Sequence, residues 1–271
     1  MFSTFDRMIT INQPNGVYTM KKFTTKKPAG VILFEGASVI DGAPIVCIAT
    51  FDTSNEKTGN MIQTWIIRSD IAPNVAQKTG DDESVCGACP QRHILGGSCY
   101  VLVWQAPLQV WKSYKKGTYP KYDPELHDQF FEGRDLRAGA YGDPLAVPYE
   151  FWIQPIAASA GGTGYTHQLN HPNFDSRILE FCMVSADTPK QALKYHGKGL
   201  RTFRVKTPDA PALPNEIECL ADAKGLTCLE CGLCNSATND KPNIYINVHG
   251  QKAGNYTKKY GKANMIDIAN I

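Results

Sequence analysis

Short apolar runs broken by turn residues fill the first seventy positions. Residues 31–34, 44–51 and 61–67 are each apolar enough for a strand, and Asp41-Gly42 between 38–40 and 44–51 is a strong hairpin signal. Residues 1–30 are polar, with turn signals at Pro14-Asn15-Gly16 and Pro28-Ala29-Gly30, and read as a loosely packed lead-in. Beyond residue 100 the rhythm changes. Leu108, Trp111 and Tyr114 recur at helical spacing after Pro107, and 124–131 and 147–158 also suit helices, although Pro155 limits the last. A strand running into a glycine-rich turn is expected over 136–144, and strands at 163–167, 177–184, 200–205 and 243–249, with a helix after Pro189 through His196. Strands alternating with helices predict an α/β fold with a parallel sheet. The expected architecture is a partial (βα) barrel-like parallel sheet, with residues 1–80 a β-rich N-terminal portion and 81–271 an α/β metal-binding portion, together one cooperative domain. The proline-rich run at 207–214 is the linker candidate. There is no internal repeat.

Composition narrows the class. Hydrophobic residues make up 42% of the 271, enough for a sizeable core, and the formal net charge is only +2. Lysines bunch at 21–22, 26–27, 112–121 and 258–259, a pattern commonest on solvated faces. The first residues lack a charged start followed by an apolar run, and no window approaches about 20 apolar residues. The expectation is therefore a cytoplasmic chain without membrane contact. In that compartment clustered thiols are metal ligands rather than disulfides.

Seven of the nine cysteines fall in two groups. Cys86-Gly-Ala-Cys89 and Cys99, with Gly96-Gly97 between, can turn three thiols towards one point. Three thiolates suit a zinc knuckle with a fourth ligand such as His93, or a four-iron cluster with one open iron that S-adenosylmethionine or a substrate could meet. Cys228, Cys231 and Cys234 match the first three ligands of a ferredoxin run, and Cys219 can supply the fourth. One or two iron–sulfur clusters are favoured there, with zinc the alternative. Cys47 and Cys182 lie within apolar strands and read as buried core residues.

Polar groups at the carboxyl ends of α/β strands line ligand crevices. Arg137, Asp143, His167 and Arg204 are accordingly the candidate catalytic residues, with helix capping before Pro144 a competing role for Asp143. Asp187 and Arg201 occupy similar positions. No Ser-His-Asp spacing, Walker loop or dinucleotide fingerprint is present.

Lys57-Thr-Gly-Asn-Met-Ile-Gln63, Thr79-Gly-Asp-Asp82, Cys86-Gly-Ala-Cys89, Cys99-Tyr100, Arg137 with Gly139-Ala-Tyr-Gly-Asp-Pro144, Gly164-Tyr-Thr-His167, Thr202-Phe-Arg-Val205 and Val248-His-Gly250 resemble, in this order, the phage and mobile-element family called gene product 88. The likeness runs from about residue 35 to 250. It implies a phage origin, hence the host cytoplasm, and a metal or iron–sulfur site. That family often has Cys-Pro where this chain has Cys219-Leu220.

The leading expectation is an iron–sulfur enzyme of redox or radical type acting on a nucleotide or nucleic acid. In it Cys86, Cys89 and Cys99 hold the working cluster, and Cys219, Cys228, Cys231 and Cys234 an auxiliary one. The alternatives are a metal-stabilised nucleic-acid-binding or replication-associated protein, and a zinc-stabilised host-interaction or virion-associated protein.

Overall fold

The computed structural model describes residues 5–11 and 19–265, the first two strands as backbone only. Strands β1 (Phe5–Ile11) and β2 (Thr19–Thr25) pair antiparallel, so the polar lead-in forms a two-stranded sheet. The turn expected at Pro14-Asn15-Gly16 lies outside the described residues.

Nine further strands form one mixed, mostly parallel sheet. They are β3 (Gly30–Ala37), β4 (Pro44–Thr50), β5 (Ile62–Arg68), β6 (Asp135–Tyr141), β7 (Gly161–Thr166), β8 (Cys182–Ala186), β9 (Thr202–Lys206), β10 (Glu216–Glu218) and β11 (Asn243–Asn247). The spatial order is β10-β11-β9-β8-β7-β6-β5-β4-β3. β3, β4 and β5 are antiparallel neighbours, and every pairing from β5 to β10 is parallel. Asp41-Gly42 turns the chain between β3 and β4 as expected, with Gly42 at φ 79° and the Ala43 amide donating to Asp41 Oδ1. Residues 38–40 belong to that turn rather than to a strand.

The helices are α1 (Pro73–Thr79), α2 (Glu83–Cys86), α3 (Ala106–Lys115), α4 (Pro124–His127), α5 (Glu150–Ala158), α6 (Pro189–His196), α7 (Leu220–Ala223), α8 (Cys228–Cys231) and α9 (Ala253–Asn264). The strand expected at 177–184 starts late. Residues Ser176–Glu180 form a short 3-10 turn because the Asp175 carboxylate accepts the Arg177 amide and starts a helical turn there.

Successive side chains of a strand point to opposite faces. In β6, β8 and β9 the residues Leu136, Ala138, Cys182, Val184, Thr202 and Arg204 are almost wholly buried. Trp152 of α5 packs in the same core as Leu136, Ala138 and Cys182, and Ala192 and Tyr195 of α6 pack with Val184. The other face carries Arg137, Thr163, Ser185, Phe203 and Val205, each half-buried. Register holds this row together: Arg137 is opposite Thr163, Ser185 opposite Phe203, and Ile246 opposite Val205. Among the described residues no helix is long and apolar enough to cross a membrane.

Two sequence-based expectations change here. The run at 207–214 is packed rather than hinge-like: Thr207, Ala210 and Leu213 are buried, and the Leu213 amide donates to Glu216. Arg204, expected to line a pocket, is on the helix-covered face with no exposure. Its guanidinium donates to both Glu216 oxygens at 2.8 and 2.6 Å, to the Pro211 carbonyl and to Asn264 of α9. Removing one partner of such a pair leaves a bare charge in the core. R204A and E216A should each lose about 3–5 kcal/mol of unfolding free energy in urea, and the double substitution to Met and Leu much less. Single losses under about 1 kcal/mol would show the pair to be effectively solvated.

Candidate metal centre and cavity

Three side chains follow the carboxyl ends of adjacent parallel strands: Asp143 after β6, His167 after β7 and Asp187 after β8. His167 Nε2 stands 3.3 Å from Asp187 Oδ2, but off the hydrogen-bond direction, so that buried nitrogen has no hydrogen-bond partner. Burial pulls the His167 imidazole down, yet Cys89 and Asp187 outweigh it and hold it well above its ordinary range. Asp143 accepts the His167 amide at 2.9 Å, the Leu145 amide at 3.1 Å and Gln168 Nε2 at 3.3 Å. It is buried and absent from the cavity wall. Asp143 therefore caps the turn after β6 and positions the backbone of His167, and the catalytic role expected for it is not supported by its placement.

The first thiol group is moored to these strand ends. Gln168 accepts the Ala88 amide at 3.0 Å and donates to the Cys86 carbonyl at 2.9 Å, gripping the Cys-x2-Cys turn from both sides. Gly87 (φ 54°) presses against Gln168, where a Cβ would fall 2.3 Å from Oε1. Arg92 braces the same turn, donating to Asp82, Glu83 and the Gly80 and Gly87 carbonyls. His93, the possible fourth ligand, instead meets the Cys99 carbonyl with Nε2 (2.9 Å) and Lys252 with Nδ1 (2.9 Å). Lys259 also turns inward, to the Pro90 carbonyl at 3.1 Å.

The second group is built on α7 and α8. Cys219 follows β10 and precedes α7, and its amide donates to the Tyr245 carbonyl of β11. Thr227 and Glu230 form a capping box that starts α8 at Cys228, and Gly232 (φ 58°) ends it after Cys231. The Cys234 carbonyl accepts Thr163 Oγ1 of β7 at 2.5 Å. Arg201, placed by the sequence among the strand-end polar residues, spends its guanidinium on the carbonyls of Leu233, Asn235, Ser236 and Pro242 and on Asn239.

Both groups open onto one cavity of about 700 Å³ on the face of the sheet opposite α5 and α6. Cys89, Cys99, Cys219, Cys228, Cys231 and Cys234 line it, as do Arg137 and His167; Cys86 sits behind the wall. Arg137 lies between the groups, donating to the Tyr100 hydroxyl at 3.1 Å beside Cys99 and drawn electrostatically to Cys228.

All nine cysteines are free thiols. Burial, then the neighbouring Cys89 and Asp82, pushes the Cys86 thiol well above its usual range. Burial takes Cys99 up to about 11 and Cys234 up to about 12, with Cys219 and Cys228 adding to the second. Thiols that raise one another in this way form a donor set whose ionisation a bound cation would favour. Their chemistry and grouping suit a thiophilic metal. As placed, among the described residues no three His, Cys, Asp or Glu side chains could hold a metal ion. Loading would have to draw each group together.

Sequence reasoning missed Gln168 and the inward role of Arg201, which carry no motif. Gly87→Ala should release the first thiol turn, at a cost of about 1–3 kcal/mol in stability. In metal-free protein Cys86 and Cys89 should then react faster with a disulfide reagent, read by mass spectrometry. Unchanged rates would show that Gln168 does not hold the turn. No protein-family model, no curated protein and no solved structure matches the chain.

Proposed function

We propose that the chain is an iron–sulfur enzyme whose two cysteine groups hold metal on either side of a small-molecule cavity. The observation that carries this reading is the convergence of six thiols, from residues 89–99 and 219–234, on one cavity with Arg137 and His167. Its volume falls within the usual range for ligand pockets, about 300–1,000 Å³. Cys86, Cys89 and Cys99 would hold one group and Cys219, Cys228, Cys231 and Cys234 the other. A bound iron–sulfur cluster supplies electron transfer. The chain itself supplies the enclosure, the Asp143–Gln168 brace under the first thiol turn, the Arg201 clamp under the second, and His167 held at its backbone by Asp143 and set beside Asp187.

The unbroken sequence of neighbours β5-β6-β7-β8-β9 supports a partial barrel, because right-handed crossovers then leave helices on one face and the cavity on the other. The resemblance to the gene product 88 family agrees with a metal site in a phage-type protein.

Anaerobically purified protein should be brown and contain several irons and acid-labile sulfides per chain. C99A should lose metal from the first group alone, and C231A from the second alone. Colourless protein carrying only zinc would replace the redox reading with a structural one. Metal content unchanged in both variants would remove the assigned ligands.

A further inference from the structure

Four arginines of the α/β portion are built into its interior or its cavity, and three are spent. Arg92, Arg201 and Arg204 give their guanidinium groups to carboxylates and carbonyls of the fold. Arg137 is different. Among the described residues its guanidinium makes one hydrogen bond, Nη2 to the Tyr100 hydroxyl, and pairs with no carboxylate. A guanidinium carries five N–H donors in a rigid fork suited to carboxylate and phosphate. The one acidic residue of the cavity wall, Asp135, lies two positions earlier on the same face of β6 and forms no ion pair with Arg137.

Flat apolar surface stands beside this fork. Tyr165 of β7 and Phe203 of β9 meet over the intervening β8, with ring centroids 4.6 Å apart. At the rim Tyr100 pairs with His249 at 5.7 Å. Both pairs line the cavity. The cavity thus offers aromatic faces and an unspent guanidinium within a single enclosure.

We propose that the cavity binds a planar ring compound bearing a phosphate or carboxylate, with Arg137 clamping the anion and the Tyr165–Phe203 pair receiving the ring. The inference rests on reading the cavity as a substrate site, and it names the substrate class that site selects.

Isothermal titration of the anaerobically purified chain with adenosine 5′-monophosphate and phenyl phosphate, against their neutral counterparts adenosine and phenol, tests it. At least one anion should bind about tenfold or more tighter than its neutral counterpart, as expected for a charge-assisted clamp. R137Q should erase that preference, and R137K should recover it only in part, while iron and sulfide contents stay at parental levels. The proposal is overturned if neither anion is preferred by the parent, or if R137Q keeps the preference. It is equally overturned if R137Q changes the metal content or the reduction potential but not the anion affinity, for then Arg137 only balances thiolate charge. Metal is measured on the same samples. Anion preference in a chain that holds no metal would sink the iron–sulfur reading and leave the clamp standing.

Discussion

The amides and carbonyls of a parallel sheet are spent on neighbouring strands, so both its faces must be covered by something else. In this protein helices close one face, through Trp152 of α5 and Ala192 and Tyr195 of α6. The opposite face, the row of Arg137, Thr163, Ser185, Phe203 and Val205, is overlaid instead by loops and very short helices that carry the cysteines, and a cavity remains beneath them. The site follows from that asymmetry. A long packed helix would have filled the space with apolar side chains, whereas loops and single helical turns can arch over it and turn thiols inward.

Irregular backbone near a core needs hydrogen-bond partners that regular structure would otherwise provide. Here the partners are side chains from the sheet and its strand ends. Gln168 and Arg92 secure the first cysteine turn, and Thr163 and Arg201 the second. Buried guanidinium groups facing carbonyls do mechanical work, which explains why strand arginines that look equivalent in sequence have opposite roles. Arg201 and Arg204 are structural. Arg137 alone keeps free donors towards the cavity.

Much of the chain order was legible. The Asp41-Gly42 hairpin, the helix near residues 106–115 and the strand–helix alternation after residue 130 all appear where pattern and turn residues put them. Register was not legible. Alternation in 200–205 shows that neighbouring residues take opposite faces but not which face is covered, so Arg204 was assigned to the pocket it turns away from. The convergence of the cysteine groups was hidden for a related reason. It depends on β11 inserting between β9 and β10 in the sheet, which sets Cys219 beside Tyr245. The apolar Ile178, Leu179 and Phe181 imitated a strand because the Asp175 cap that makes a helical turn of them is a local competitor of the pattern. α9 has too few apolar positions to announce itself, and Tyr256 and Asn264 are buried in it by tertiary contacts with the Asp187 carbonyl and Arg204.

The central claim is that two separate thiol groups present metal to one shared cavity. Anomalous diffraction at the iron absorption edge, on crystals grown without oxygen, tests it most directly. The account predicts two peaks, one among Cys86, Cys89 and Cys99 and the other among Cys219, Cys228, Cys231 and Cys234, both bordering the space in front of Arg137. Cysteines joined as disulfides, or metal bound away from that cavity, would contradict it.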